Sequence, residues 1–391
     1  MEKIKLLIVG DGVVPTGFSR VLHSIFGNFN LEEYDISWMA VNYFGDPHGY
    51  PYKIYPASLG NPGDLFGFNR LTEVINFEKP DIVFMLNDSP IIAKYLKIIK
   101  TSKIEKTFKL VVYYPVDSYW HDPDWYKDFD IVDEVVTYTE FGKEVTEPLM
   151  NKEVKIITHG VSTNIFYELD KKDLRTKVLG NKFGVDPNEL FIVFNGNRNQ
   201  PRKRIDLTML AFAEFAKDKP NAKLYLHMGY VDANHINVDK LAIRLGIDDK
   251  IILTNNKIGP QSVTDQELNA IYNLCDVGVN TSFGEGFGLV NVEQAVTRCA
   301  QIVPDHSACK ELFGDCGLLI KRSANWIMDG SMTVGGIIDP ADLANKLDFL
   351  YKNRDVLEKV ADKCYQKFTD EKYSWKTVAG DWDSLFKSLI K

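Results

Sequence analysis

Glu285 and Glu293 are the two residues of this sequence best suited to chemistry. Seven residues separate these carboxylates, and the first of them belong to a glycine-rich turn. An apolar run, Asp276 to Thr281, precedes the turn, and the pattern becomes helical from about Leu289. The turn glycines are Gly284, Gly286 and Gly288. The sequence therefore predicts a strand, a glycine turn and the start of a helix, with one carboxylate in the turn and one inside the helix.

A helix start of this kind favours a negatively charged ligand, since its backbone N–H groups are free and its dipole is positive at that end. Phosphate is the natural ligand. Carboxylates beside a phosphate bind it poorly, but they are good acceptors for sugar hydroxyls. The alternative interpretation is an ordinary acidic helix N-terminus, where glutamate is favoured for its charge alone.

Glu285 and Glu293, with Gly-Phe-Gly-Leu between them, resemble the nucleotide-sugar motif of glycosyltransferase family 4. Members of that family are retaining enzymes of the GT-B fold. The resemblance implies that Glu285 holds hydroxyls of the donor sugar, that Glu293 holds the nucleotide ribose, and that backbone N–H groups meet the diphosphate. The turn residues that it assigns to donor binding are Gly286, Phe287, Gly288, Leu289 and Val290.

A basic segment follows another predicted strand, Leu190 to Phe194. Four cations within seven residues are unusual in an acidic protein and indicate an anionic ligand. By resemblance, Arg198 and Lys203 contact the donor diphosphate, while the neighbouring arginines, Arg202 and Arg204, lie at the surface or face the acceptor. The alternative is a solvated basic loop capped by Asp206.

Two further segments carry candidate donor contacts. The strand that begins at Ile251 ends in Asn255 and Asn256, where the family has its base pocket, although turn formation explains two asparagines equally well. Near the N-terminus, Gly12, Thr16 and Gly17 form the first turn after a strand. By resemblance these three contact acceptor or donor phosphate; alternatively, the glycines only shape the turn.

The same N-terminal turn argues against a nicotinamide cofactor. Pro15 stands where the dinucleotide fingerprint requires its third glycine, and proline lengthens the loop before the helix.

A departure from the family pattern occurs after the fourth predicted strand. Asp117 matches the aspartate of the family's His-Asp pair, but Val116 occupies the histidine position. The sequence predicts no acid or base side chain at residue 116. His121 lies in the following loop; one interpretation is that it substitutes for the missing histidine, and the expected one is a solvated loop histidine.

The elements that must position these residues alternate short apolar runs with helical patterns, which predicts parallel sheets with crossover helices. With 391 residues, two domains are expected. The predicted division is residues 1–165 together with 370–391, a Rossmann-like acceptor-side domain, and residues 166–369, a donor-binding domain. The fold class is α/β, GT-B, with two Rossmann-like domains facing each other across a cleft and a C-terminal helix that crosses back to the first domain.

Composition excludes several classes of protein. A net charge of −8 argues against a general nucleic-acid binder, and no apolar run reaches the ~20 residues of a membrane span. Five cysteines without a C-x-x-C pair predict reduced thiols and a cytoplasmic protein without structural zinc.

Taken together, the residues and the resemblance predict a metal-independent, retaining hexosyltransferase that needs no cofactor. It would move a hexose from a nucleotide-diphosphate sugar to a glycan, lipid or other hydroxyl acceptor, with at most peripheral membrane contact. The basic segment resembles that of virus-encoded members thought to use guanosine donors, which implies GDP-mannose. Two alternatives remain: a nucleotide-sugar 2-epimerase of the same fold, and a catalytically silent sugar-nucleotide or glycan binding protein.

Overall fold

Two units make up the chain. In this computed structural model, residues 2–228, 236–254 and 263–390 are described. The first unit comprises Met1–Val116, Trp120–Gly160 and Lys372–Lys391, and the second comprises Asp117–Tyr119 and Val161–Glu371. The sequence placed the boundary near residue 165, whereas the contacts of the chain divide it after Gly160. Phe166, which the prediction also places in the second domain, packs with its ring 5.5 Å from that of Tyr272.

Each unit contains one parallel sheet. The first sheet has the order β3-β2-β1-β4-β5-β6-β7, the second has the order β10-β9-β8-β11-β12-β13, and β14 pairs with β15 in an antiparallel hairpin of the second unit. The strands are β1 (Ile4–Asp11), β2 (Tyr34–Val41), β3 (Lys53–Pro56), β4 (Ile82–Leu86), β5 (Lys109–Tyr114), β6 (Glu134–Thr137), β7 (Val154–Ile156), β8 (Phe191–Asn195), β9 (Ala222–Leu226), β10 (Ile251–Leu253), β11 (Val277–Val279), β12 (Ala300–Pro304), β13 (Leu318–Ile320), β14 (Arg322–Ile327) and β15 (Val334–Ile338).

Helices connect the parallel strands. They are α1 (Gly17–Phe26), α2 (Leu71–Glu78), α3 (Ser89–Thr101), α4 (Glu140–Thr146), α5 (Lys171–Val178), α6 (Ile205–Phe215), α7 (Val238–Leu245), α8 (Asp265–Leu274), α9 (Leu289–Ala295), α10 (Ser307–Phe313), α11 (Pro340–Lys352), α12 (Arg354–Phe368) and α13 (Trp375–Ile390). The prediction of two parallel, Rossmann-like α/β sheets is confirmed. None of the helices in the three described ranges is both long and apolar enough to cross a membrane.

The last helix packs within the first unit. Trp382 of α13 is fully buried and makes an edge contact with Phe84 of β4, with ring centroids 4.9 Å apart. Asp383 accepts a hydrogen bond of 2.8 Å from the Tyr34 hydroxyl. The predicted return of the C-terminal helix therefore rests on a buried aromatic side chain and a polar contact.

Several elements differ from the sequence-based expectation. The short edge strand β3 and the hairpin β14–β15 were not predicted, and β14 is mostly exposed, so its residues carry little apolar signal. The sequence pattern predicts a helix from Phe141 to Met150, whereas α4 ends at Thr146 because Pro148 lies in the 3-10 turn that follows.

Strands β8 and β11 are neighbours at the centre of the second sheet, and a buried ion pair fixes their starts. Arg175 of α5 lies 2.7 Å from the Asp276 carboxylate and donates to the backbone carbonyls of Leu274 and Leu190. Asp276 in turn accepts from the backbone N–H of Ile192 at 2.7 Å. The pair therefore aligns the two strands whose far ends carry the basic segment and the glycine turn.

Removal of this cation should destabilise the second unit. Arg175→Met leaves the buried Asp276 without its closest charge partner, and we expect a loss of about 3–5 kcal/mol in the free energy of unfolding, measured in urea. Lys171→Met is the matched control, because Lys171 is 35% exposed and 3.6 Å from the same carboxylate, and it should cost about 1 kcal/mol or less. Equal losses in the two variants would contradict this account of the pair.

Candidate functional site: a buried carboxylate beside two cations

The loops after β8 and β11 are held together by a chain of hydroxyl and amide groups. Asn195, at the end of β8, donates to the Thr208 hydroxyl at 2.9 Å, and that hydroxyl lies 2.8 Å from the Thr281 hydroxyl. Thr281 also donates to the backbone carbonyl of Arg204 at 2.9 Å. The basic segment and the glycine turn therefore meet at the carboxyl end of neighbouring strands, where ligands of open α/β sheets bind.

Glu285 and Lys203 form the central contact of this cluster. The Lys203 ammonium donates to Glu285 Oε1 at 2.6 Å, and the exposed fractions of the two side chains are 12% and 7%. The Ser282 hydroxyl donates to the same oxygen at 2.6 Å. The structure thus brings together two residues that the sequence assigned to the donor, and it adds a serine that sequence reasoning missed.

Arg202 is a further cation at this carboxylate. Its Nη1 lies 3.6 Å from Glu285 Oε2 and 3.1 Å from the Asp117 carboxylate, and it also donates to the carbonyl of Gly284. The prediction that Arg202 is a surface or acceptor-facing residue missed this contact. Its position follows from the tight 3-10 turn of Pro201–Lys203, which brings consecutive cations to one carboxylate.

Gly284 is required by the close approach of the Asp117 backbone. A Cβ atom at residue 284 would stand 1.7 Å from the Asp117 carbonyl oxygen. The glycine turn therefore fixes where Asp117 lies relative to Arg202.

Arg198 has a different environment from Lys203. Its side chain is exposed, and its carbonyl accepts the N–H of Gln200 in a turn. The assignment of Arg198 to a diphosphate stays a prediction.

The second carboxylate of the motif lies on α9 and contacts α8. Glu293 is 6% exposed, and its Oε2 accepts a hydrogen bond of 2.9 Å from the Tyr272 hydroxyl. Gly288 precedes α9 with a φ of +89°, a conformation that favours glycine. The other predicted donor contacts in this turn are Gly286, Phe287, Leu289 and Val290, of which Phe287 is buried and the rest are half-buried.

The remaining candidate residues belong to the first unit or fall outside the described residues. In the first unit, Thr16 caps α1 by accepting from the Ser19 N–H and donates to Asp11 at 2.5 Å. A Cβ at Gly12 would stand 2.9 Å from the Trp38 indole nitrogen, whereas Gly17 faces open space. Gly12 therefore has a packing role. Asn255 and Asn256 lie outside the described residues.

Val116 and His121 are buried, whereas Tyr119 and Trp120 between them are exposed. Val116 belongs to the hydrophobic core of the first unit. His121 is 8% exposed, and its Nδ1 lies 2.6 Å from the Tyr126 hydroxyl, so the prediction of a solvated histidine is wrong. The aromatic residues that follow His121 in the chain fold back over it, which no local pattern indicates.

Electrostatics keep Glu285 ionised. Burial alone raises the pKa of this carboxyl, but the charges of Lys203 and Arg202 and the hydrogen bonds from Lys203 and Ser282 outweigh it and lower the pKa to about 2. Burial and the Arg202 charge lower the pKa of Lys203, and Glu285 opposes them. Burial raises the pKa of the nearby Cys309 thiol, and the Glu285 charge adds to that effect. At neutral pH the site therefore holds a carboxylate and a cysteine in its thiol form.

No group of three or more histidine, cysteine, aspartate or glutamate side chains suited to a metal ion occurs within the described ranges. The five cysteines, all inside those ranges, are buried free thiols.

Comparison with known proteins finds a family match within the second unit. Residues 189–353 match the family model described as glycosyl transferases group 1. D-inositol 3-phosphate glycosyltransferase of Mycobacterium sp. (strain KMS) is 28% identical over 170 residues, which are 42% of this chain and 35% of that protein. The chain thus spans about a third of the length of that curated relative.

Solved structures resemble the whole chain. Sucrose-phosphate synthase from Thermosynechococcus elongatus superposes with a TM-score of 0.74 at 13% identity, over 99% of each chain. Anabaena HepE in complex with UDP-glucose gives a TM-score of 0.72 at 14% identity, over 98% of this chain and 100% of that one. The chain has the GT-B fold, and its residues 189–353 match the group 1 family of glycosyltransferases.

The low pKa of Glu285 predicts a pH-dependent contribution to stability. Because the pKa is about 2 in the folded chain and ordinarily 4.5, ionised Glu285 stabilises the fold above about pH 4.5, and this contribution is lost as the pH falls towards 2. We expect the difference in unfolding free energy between wild type and Glu285→Gln to fall by about 3 kcal/mol across that window, measured by urea unfolding at successive pH values.

Glu214→Gln is the matched control for this measurement, because Glu214 is 61% exposed on α6. Its difference from wild type should stay near zero at each pH. A Glu285→Gln difference that does not change with pH would contradict the assigned pairing.

Proposed function

We propose that this protein is a retaining glycosyltransferase that moves a hexose from a nucleoside-diphosphate sugar to a hydroxyl acceptor. The observation that carries the proposal is the buried contact of Glu285 with Lys203, with Arg202 beside it, at the ends of β8 and β11 in a group 1 glycosyltransferase domain. A carboxylate and cations in one place match a ligand that joins a sugar to a diphosphate.

Lys203 is the residue proposed to neutralise the diphosphate leaving group. Its contact with Glu285 holds the ammonium near the turn before α9. Arg198 supplies a second cation from the exposed part of the same segment, and the backbone N–H groups of residues 286–290 complete the diphosphate contacts. Together these groups replace the charge that a divalent metal supplies in other enzymes, so transfer is proposed to need no metal.

Glu285 is proposed to orient the donor sugar. With a pKa of about 2 it is a permanent acceptor at physiological pH, and it suits hydroxyl groups that develop more positive character as the sugar becomes oxocarbenium-like. We assign the departing phosphate, rather than Glu285, as the group that helps deprotonate the acceptor on the front face. Glu293 is proposed to hold the ribose, and Asp117, fixed by Arg202, borders the sugar.

GDP-mannose is the donor proposed for the first test, because the basic segment resembles the same segment of enzymes thought to use guanosine donors. UDP-glucose is the second, because HepE, of the same fold, was solved with it. The acceptor class is a hydroxyl of a glycan or a lipid-linked glycan.

Substitutions at the central pair should abolish transfer without unfolding the chain. We expect Glu285→Gln and Lys203→Met each to lower kcat by a factor of roughly 10² to 10³, because each removes a preorganised group that stabilises charge in the transition state. The measurement is transfer of radiolabelled hexose from the donor, with circular dichroism as the check on folding. Glu214→Gln and Lys217→Met are matched controls at an exposed ion pair of the second unit and should retain activity.

Turnover at the wild-type rate in Glu285→Gln or Lys203→Met would refute the proposed roles. Formation of an epimerised donor in the absence of acceptor would favour a 2-epimerase instead. Tight nucleotide binding without hydrolysis or transfer across an acceptor panel would favour a silent binding protein.

A thermal-shift screen should identify the donor. A ligand that binds only the folded chain stabilises it by about 2.7 kcal/mol at a hundredfold excess over Kd. Among UDP, GDP and ADP sugars, we expect GDP-mannose to raise the Tm most. In Glu285→Gln, we expect GDP-mannose and GDP to raise the Tm by the same amount. A larger shift with UDP-glucose would replace the proposed base and leave the reaction class intact.

A further inference from the structure

Four buried amides lead from Glu285 into the core of the second unit. Asn280 Nδ2 lies 3.2 Å from Glu285 Oε1 and donates to Asn291 Oδ1 at 2.9 Å. Asn291 Nδ2 donates to Gln301 Oε1 at 2.8 Å, and Gln301 Nε2 lies 3.3 Å from Gln294 Oε1. The side chains come from the loop after β11, from α9 and from β12, so the chain of amides crosses three elements.

Burial makes this arrangement costly. The exposed fractions of Asn280, Asn291, Gln301 and Gln294 are 1%, 2%, 0% and 0%. Gln294 Nε2, at the far end, is a buried donor with no hydrogen-bond partner within the described ranges, and such a group costs about 1–3 kcal/mol. Leucine or methionine would fill the same space without that cost, so stability alone does not account for the four amides.

The backbone of β11 leaves room for the amide side chains at Gly278. Gly278 is the middle residue of this buried strand, a position where glycine weakens a sheet. A Cβ atom there would stand 2.0 Å from Gln294 Oε1 and 2.6 Å from Gln301 Oε1. The glycine is therefore needed for the amides to lie against the strand.

The order of donors and acceptors is fixed along the chain. Asn280 Oδ1 accepts the Ser282 backbone N–H at 2.8 Å, which turns its Nδ2 towards Glu285. Asn291 presents its oxygen to Asn280 and its Nδ2 to Gln301, which keeps Asn280 in that orientation. The reverse orientation would place an amide oxygen against a carboxylate, which is repulsive.

We infer that Asn280, Asn291, Gln301 and Gln294 form a positioning chain that locks the Glu285 carboxylate and presents its Oε2 to the donor sugar. Glu285 Oε1 receives three donors, from Lys203, Ser282 and Asn280, while Oε2 lies 3.6 Å from Arg202. The role towards a sugar rests on the proposed function; the locking of the carboxylate does not. These four are positioning residues, since they act through Glu285.

Other titratable groups also face Glu285. Lys203 and Arg202 approach from the segment before α6, Cys309 from α10, and Asp117 through Arg202. A test must therefore change the amide and keep these groups, which Asn280→Asp does because aspartate has nearly the same shape.

The test is a pH titration of Glu285 in the full chain by NMR, with glutamate labelled at the side-chain carboxyl carbon. The resonance is identified by its loss in Glu285→Gln. Asn280→Asp replaces a donor with an acceptor beside the carboxylate and should raise the pKa of Glu285 by roughly 1 to 3, because a like charge disfavours ionisation. Asn280→Leu, which removes the donor without adding charge, should raise it less.

Asn273→Asp is the matched control. Asn273 is another buried asparagine of the second unit, 2% exposed, and its amide donates to the backbone carbonyls of Tyr167 and Asn269. It should leave the Glu285 titration where it is in wild type. If Asn280→Asp does not fold, Asn291→Ser interrupts the chain one amide further from Glu285, and a smaller rise in the same direction is expected.

A second measurement separates the positioning chain from the proposed function. Binding of the nucleotide sugar and of its nucleoside diphosphate is compared by calorimetry in wild type and Asn280→Asp. We expect the nucleotide sugar to bind roughly tenfold to a hundredfold more weakly in the variant, with binding of the diphosphate unchanged.

An unchanged Glu285 titration in both Asn280→Asp and Asn291→Ser would overturn the positioning chain. A shifted titration in a protein that binds no nucleotide sugar would instead overturn the proposed function and leave the locked carboxylate standing. Equal weakening of nucleotide sugar and diphosphate would overturn the assignment of Oε2 to the sugar.

Discussion

The second unit depends on one constraint, the presence of an ionised carboxylate that is almost fully buried. Moving a lone carboxylate out of water costs far more than the net stability of a domain, so such a group needs opposite charge and hydrogen bonds around it. Glu285 has both, from Lys203, Arg202, Ser282 and Asn280. The loops that follow β8 and β11 carry these donors and bring them to one point.

The hairpin β14–β15 contributes to the same constraint from the other side of the glycine turn. Gly336 donates its N–H to the Phe283 carbonyl at 2.9 Å, and a Cβ at Gly335 would stand 2.5 Å from the Phe283 ring. Trp326 packs edge-on against Phe283, with the Arg204 guanidinium 5.3 Å from the Trp326 ring. The hairpin therefore holds both the turn that carries Glu285 and the end of the basic segment. This close approach requires Gly335, whereas a Cβ at Gly336 would stand 2.5 Å from the His306 ring.

The sequence predicted the parts of the fold that depend on apolar periodicity. The sequence predicts a strand over Lys109–Tyr114 and a helix over Asp265–Leu274, and both elements have these limits in the structure. A buried strand and a capped amphipathic helix are local signals. The hairpin was missed because β14 is exposed and has no apolar alternation. Its partner β15 carries two glycines, which in a sequence favour a loop.

The site was predictable only where residue type and spacing carry the signal. Glu285 and Lys203 were singled out as neighbours of one ligand, and the structure brings them to 2.6 Å. Arg202 was missed because adjacent cations are equivalent in a sequence, and only the 3-10 turn decides which of them faces inward. Asn280, Asn291 and Gln301 were missed because a buried amide and a loop amide look the same without the contacts.

Neither Val116, in the first unit, nor Glu285, in the second, has the properties of a general base. The Val116 side chain is 1% exposed within the hydrophobic core, so this position supplies neither an acid nor a base. Glu285, with a pKa of about 2, is a poor general base at neutral pH, since proton transfer is efficient when the pKa of the base lies near the working pH. A mechanism in which the departing phosphate takes the acceptor proton needs a base from neither residue. The proposed front-face transfer is therefore compatible with an apolar residue 116 and with the low pKa of Glu285.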